Sequence, residues 1–128
     1  MQVVRIPIEG PLLDDLSEDF ASFEKRERYR QQREQGLVLA EWTVARVEGL
    51  SIEIRVREHP PPHFHVTYQG EDASFAIITC QRLVGVKGLE GYERTIHQWW
   101  KRNRGQLVEE WNKSRPSDCP VGPIQEPN

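Results

Sequence analysis

The chain has no long hydrophobic run, few cysteines, no strong excess of either charge and no internal repeat, and each absence removes a class of protein. No window approaches eighteen apolar residues, which excludes a membrane-spanning helix. The amino terminus also lacks the apolar stretch behind positive charge that a signal peptide requires. The two cysteines, Cys80 and Cys119, match no metal-ligand spacing, and the second lies in a proline-rich tail. Reduced thiols in a cytoplasm are the expectation. Seventeen basic against twenty acidic residues give a net charge of −3. That supplies no bulk attraction to nucleic acid, and such binding would need a local basic patch. At 128 residues the chain is long enough for one core and too short for two.

Against this background one cluster stands out. The run His59, Pro60, Pro61, Pro62, His63, Phe64, His65 places three of the four histidines within seven positions. Three consecutive prolines have no backbone donors and stay near extended geometry, so they make a poor central strand and a stiff presenting loop. From His63 to Tyr68 the pattern alternates: Phe64, Val66 and Tyr68 point one way, His63, His65 and Thr67 the other. Two imidazoles therefore share a strand face. Upstream, Ile52, Ile54 and Val56 read as core-facing, with Ser51, Glu53, Arg55 and Arg57 on the other side. Pairing these two strands gathers Arg55, Arg57, His63, His65 and Thr67 on one sheet surface, provided the register does not slip by one residue.

The remaining chain supplies the scaffold. Gly10 and Pro11 read as the cap and first turn of a helix carrying Leu13, Leu16, Phe20 and Phe23 at helical spacing and stopping near Gly36. Its second half, Glu24 to Glu34, is almost wholly charged or amide, which predicts a solvated end or a docking surface. Val38, Ala40, Trp42 and Val44 predict a strand over 38–47, and Glu48-Gly49 a turn into the next. Gln69-Gly70 predicts another turn, Asp72 to Thr79 a further strand, and Leu89 to Lys113 a helix with Leu89, Ile96, Trp100, Leu107 and Trp111 as its buried stripe. The fold class is α+β: a small antiparallel meander covered by a long carboxyl-terminal helix, with an amino-terminal helical extension. The expected organisation is an extension over 1–44, an α+β domain over 45–115 and a proline-rich tail over 116–128. Because its second half is so polar, residues 1–36 are expected to be dispensable for folding.

The cluster admits three chemical readings. His59 or Glu58 with His63 and His65 could form a three-ligand metal site. Arg55 and Arg57 on the same face would repel a divalent cation, however, and suit phosphate or carboxylate instead, with His59, His63 and His65 as general acid and base. The third reading is structural, with the histidines capping backbone groups around the proline loop. We therefore expect no metal or other cofactor. His65, Val66, Thr67 also matches a His-x-Thr element that two-histidine phosphoesterases use in two copies; only one copy occurs here. Trp99 to Arg104 mixes aromatic and basic residues and reads as core tryptophan beside solvated charge. Asn103, near the apolar stripe, needs a polar partner that the histidine face could provide, which makes it a candidate ligand-binding residue. His97 reads as surface or packing.

Glu58, His59, Pro60, Pro61, Pro62, His63, Phe64, His65, Val66 resembles the hallmark of domain-of-unknown-function family 4160, short bacterial proteins in which an acidic residue, histidine and prolines lead into His-Phe-His-Val. The resemblance extends from about 45 to 115, including two tryptophans twelve apart, Trp99 and Trp111, and it sets Asn103 where family members often carry histidine. It implies an α+β domain and a small partner protein encoded nearby, in an arrangement like toxin and antitoxin pairs. The expectation is a toxin-like member of a two-gene module whose Arg/His surface binds RNA or a nucleotide and acts as a metal-independent ribonuclease. The rivals are a non-catalytic protein-binding module and a metal-dependent enzyme.

Overall fold

The computed structural model describes residues 4–36, 46–56, 61–114 and 122–124. Its elements are β1 (Val4–Ile8), α1 (Pro11–Glu34), β2 (Ser51–Val56), β3 (His63–Tyr68), β4 (Glu71–Ala76), a 3₁₀ turn (Glu90–Tyr92) and α2 (Glu93–Ser114). The strands form one antiparallel sheet in the order β1-β2-β3-β4. Both helices pack on its apolar face. The α+β class, the meander and the long closing helix are as the sequence predicts.

Two hairpin registers decide which residues meet. Gln69 and Gly70 both take positive φ (52° and 78°), the pattern of a two-residue turn whose twist suits adjoining antiparallel strands. This sets Tyr68 opposite Glu71, and counting back sets His65 opposite Ser74. On the other side, Glu53 lies opposite His65 and Ile54 opposite Phe64. The anticipated alternation holds: Ile52, Ile54, Phe64, Val66 and Phe75 are buried on the helix side, and Glu53, Arg55, His63, His65 and Ser74 occupy the other.

Several expectations meet a different outcome along the chain. Residues 4–8, read only as an apolar start, form edge strand β1, where Pro7 is tolerated because an edge strand need not donate on both sides. The strand expected over 38–47 falls mostly outside the described residues, and Arg46 and Val47 lie outside every strand. The fourth strand ends at Ala76 rather than Thr79, because the chain turns back there: Cys80 N–H donates to Ala76 O (2.7 Å) with Cys80 at φ 59°. Trp99, fully enclosed, takes the place in the buried stripe of α2 expected for Trp100, while Trp111 is buried as expected. At 3.6 residues per turn the inward stripe runs Ile96, Trp99, Asn103, Leu107, Trp111, which leaves Trp100 at its rim with its indole N–H on Ile77 O (2.6 Å).

The amino-terminal helix belongs to the core. Leu16 and Phe20 are fully buried, Leu12 nearly so, and Trp99 Nε1–H donates to Leu12 O (3.0 Å). Phe20 stacks on Tyr92 (4.5 Å between centroids) and meets Tyr68 edge-on. Glu24 Oε2 accepts from both Tyr68 OH (2.6 Å) and Tyr92 OH (2.7 Å), tying α1, β3 and the 3₁₀ turn together. Only beyond Glu24 does the helix become mainly solvated, with Arg26, Arg28, Arg30 and Arg33 exposed. The reading of this helix as a polar extension is thus corrected: a charged second half says nothing of the first, which completes the core.

Candidate functional site

The polar side of the sheet holds two imidazoles that are almost fully buried, His63 at 1% and His65 at 5% exposure. Each is fixed by a neighbour. His63 Nδ1 is 2.7 Å from Pro61 O. A carbonyl oxygen can only accept, so Nδ1 carries the hydrogen, and in the neutral ring the lone pair sits on Nε2. The proline turn therefore sets the tautomer of the histidine that follows it. His65 Nδ1 is 2.7 Å from Ser74 Oγ, a bond that follows from the hairpin register. The rings lie edge to face with centroids 4.8 Å apart.

These side chains floor an open cleft of about 790 Å³, lined also by Arg55, Asp72 and the segment Val86–Gly88. That volume lies within the range of small-molecule sites, roughly 300–1,000 Å³. The cleft is not uniformly positive. Arg55 Nε donates to Glu53 Oε1 (2.6 Å), and Glu71, Asp72 and Glu90 stand at the rim with Lys87. The Gly88 N–H donates to Glu90 Oε1 (2.7 Å) and holds that carboxyl below its ordinary range, so it is charged at neutral pH.

Of the residues expected to form the site, Arg55, His63 and His65 are brought together, and Arg57 and His59 lie outside the described residues, as does Glu58. Asn103 is elsewhere. It lies on α2 across the sheet, where its Nδ2 donates to Asp15 Oδ2 (2.9 Å) and Trp99 O (2.9 Å). The polar partner it needs is thus an α1 carboxylate, and the expectation that Asn103 meets the histidine face is corrected. His97 packs on Trp100, as surface or packing residues do (5.3 Å). Cys80 is buried, and burial, then the charge of Glu93, pushes its thiol up to about 12, which keeps it protonated. No group of three or more histidine, cysteine, aspartate or glutamate side chains suited to a metal occurs among the described residues.

Sequence reasoning missed Ser74, Glu53 as partner of Arg55, and the cleft wall from Val86 to Gly88. Ser74 was within reach, since a two-residue turn at Gln69-Gly70 fixes its pairing with His65. The wall carries no periodic signal, because residues 83–89 belong to no regular element.

A four-stranded sheet with two helices on one face and a buried histidine pair on the other defines an α+β domain with a polar cleft over those histidines. The model of the family described as Domain of unknown function (DUF4160) matches residues 49–112, half of the chain, and the protein belongs to that family. No curated protein and no solved structure matches it.

Proposed function

We propose that the cleft over His63 and His65 binds a phosphate-bearing ligand, RNA or a nucleotide, and performs general acid–base chemistry on it without a metal. The observation that supports this most is the pair of rings in contact, each oriented through Nδ1 by a different protein group. An acid and a base are both needed for such cleavage, and a pair of imidazoles can supply them, one as imidazolium and the other as a neutral ring that carries a lone pair. The base takes the proton of an attacking hydroxyl or water as its oxygen bonds to phosphorus, and the acid gives a proton to the leaving oxygen as that bond breaks. Arg55 supplies positive charge beside them, and Ser74 keeps His65 in place.

The family resemblance adds a biological setting to this reading: a toxin-like member of a two-gene module, with a small partner protein encoded nearby. A second reading, a non-catalytic module that docks such a partner, is favoured by Val84, fully exposed, and Ile78, 45% exposed, beside the proline turn.

The test is cleavage of short RNA and of nucleotides with metal chelated, run beside His63→Ala and His65→Ala. We expect turnover that each substitution lowers by about 10²–10⁴-fold, the usual contribution of a positioned acid or base. Activity that appears only on adding a divalent metal, or survives both substitutions, would overturn this reading.

A further inference from the structure

One wall of the cleft is built by a segment whose construction is disproportionate to a connecting loop. Between β4 and the 3₁₀ turn the chain returns along the sheet edge, with Leu83 N–H on Ser74 O (3.0 Å) and Val86 N–H on Leu83 O (3.2 Å). It is then fastened at Gly88 and Leu89. Arg82 Nη1–H donates to Gly88 O (2.8 Å), while Arg82 Nε–H donates to Glu93 Oε1 (2.6 Å) and its guanidinium lies over the Phe75 ring (5.1 Å). Gly88 N–H donates to Glu90 Oε1 and Leu89 N–H to Glu71 Oε1 (3.0 Å). Gly88 itself has φ 123°, and a Cβ there would sit 2.6 Å from the Asp72 carbonyl oxygen, so the backbone presses against the start of β4 as only glycine permits.

What this strap carries into the cleft is Lys87, flanked by Val86 and Gly88. Among the described residues lining the cleft, Lys87 and Arg55 are the two permanent cations, and Arg55 is already engaged by Glu53. Lys87 is exposed, and no salt bridge of it occurs among the described residues. The strap thus adds a cation to the cleft that the two imidazoles line. The same rim bears Glu71, Asp72 and Glu90. An extended row of phosphodiesters would have to pass these carboxylates within the roughly 8 Å over which charge acts at physiological salt. A compact ligand meets those carboxylates too, but it has one terminal phosphate to place between the two cations and the histidines, whereas a row of diesters meets the repulsion at every phosphate.

Building on the reading of the cleft as a phosphate site, we infer that Lys87 is its ligand-selecting residue and that the ligand is a compact molecule bearing a terminal phosphate, such as a mononucleotide, rather than a run of RNA. Arg82 acts at one remove, as the positioning residue that fastens the strap.

The experiment follows the imidazole C–H NMR signals of the full-length protein during titration with three probes: inorganic phosphate, adenosine 5′-monophosphate, and a short RNA with a 5′-hydroxyl end and only diester phosphates. We expect phosphate and the mononucleotide to shift the His63 and His65 signals, with the mononucleotide binding more tightly and the RNA more weakly than either. Lys87→Ala should weaken the mononucleotide about tenfold or more, the value of a charge-assisted hydrogen bond. Lys87→Arg should restore most of it, and Lys101→Ala, on α2, should change nothing. Arg82→Lys should weaken binding by less than Lys87→Ala, with the melting temperature recorded to confirm folding. If histidine signals move but Lys87→Ala binds as tightly as the parent, or the RNA binds best, the inference falls and the phosphate-site reading stands. If no probe moves the histidine signals of the parent, both fall.

Discussion

The two faces of this sheet are made by alternate residues of the same strands, and each buries side chains, yet burial is achieved by opposite means. On the helix side Ile54, Phe64, Val66 and Phe75 are enclosed by α1 and α2 through non-directional apolar contact. Phe64 stacks on Phe75 (5.6 Å) and meets Trp99 edge-on (5.7 Å). On the other side no helix packs among the described residues, and His63, His65 and Ser74 are buried by one another, by the proline turn and by the strap. Each polar group there needs a named partner at hydrogen-bond distance, whereas the apolar face needs only volume. The first face is therefore where stability resides, and the second is where chemistry can be held.

The largest effect expected is from the apolar side. Deleting residues 1–36 removes β1 together with Leu12, Leu16 and Phe20, and should leave no cooperatively folded domain by circular dichroism; a sharp melting transition in the truncated protein would show that the sheet and α2 make a sufficient core alone. Next comes Phe64→Ala, which should cost about 3–5 kcal/mol in denaturant unfolding, the usual penalty for emptying a fully packed aromatic site.

On the polar face Ser74→Ala should cost less, about 1–3 kcal/mol, because it deletes few contacts and leaves the His65 Nδ1 without its present hydrogen bond. The difference between these two values measures the contrast between the faces. Equal losses would mean that the polar face carries as much of the stability as the core.

The finest probe is the seam where the apolar face ends, at Tyr68 and Tyr92. Burial first, then the hydrogen bond from its hydroxyl to Glu24 and the charge of that carboxylate, push the Tyr68 phenol up to about 12, and the same causes raise Tyr92. A folded-state value above the unfolded one means that the folded protein favours the neutral phenol. The stabilisation is thus complete below pH 10 and is lost as pH rises from 10 through about 12. Phenolate absorbance should show two late-titrating tyrosines, and Glu24→Gln should bring both earlier by removing the negative charge. Unchanged titration in that variant would assign the shift to burial alone.

Much of this arrangement is legible in particular residues. The alternation in Ser51–Val56 and His63–Tyr68 assigned each side chain to a face, and the turn chemistry of Gln69-Gly70 contains the His65–Ser74 pair, though using it requires committing to a two-residue loop. Pro7 concealed β1, since proline argues against a strand unless the strand is known to be an edge. Trp99 and Trp100 were exchanged because both fit an apolar stripe from Ile96, one three residues on and the other four, and only the position of Leu12 and Phe64 decides between them. Asn103 looked like a site residue because sequence shows that a polar group near a seam needs a partner without showing that Asp15 is within reach.

The sequence by itself determined the class of fold, the face that each strand residue takes and the clustering of histidines behind a rigid proline turn, because these depend on local period and backbone restriction. Only the tertiary structure decided that α1 completes the core, that Glu53 engages Arg55, that Asn103 serves the helices, and that residues 83–89 fold back to bring Lys87 into the cleft lined by the histidines. Those outcomes depend on which distant segments come within a few ångströms of one another, and no period along the chain encodes that distance.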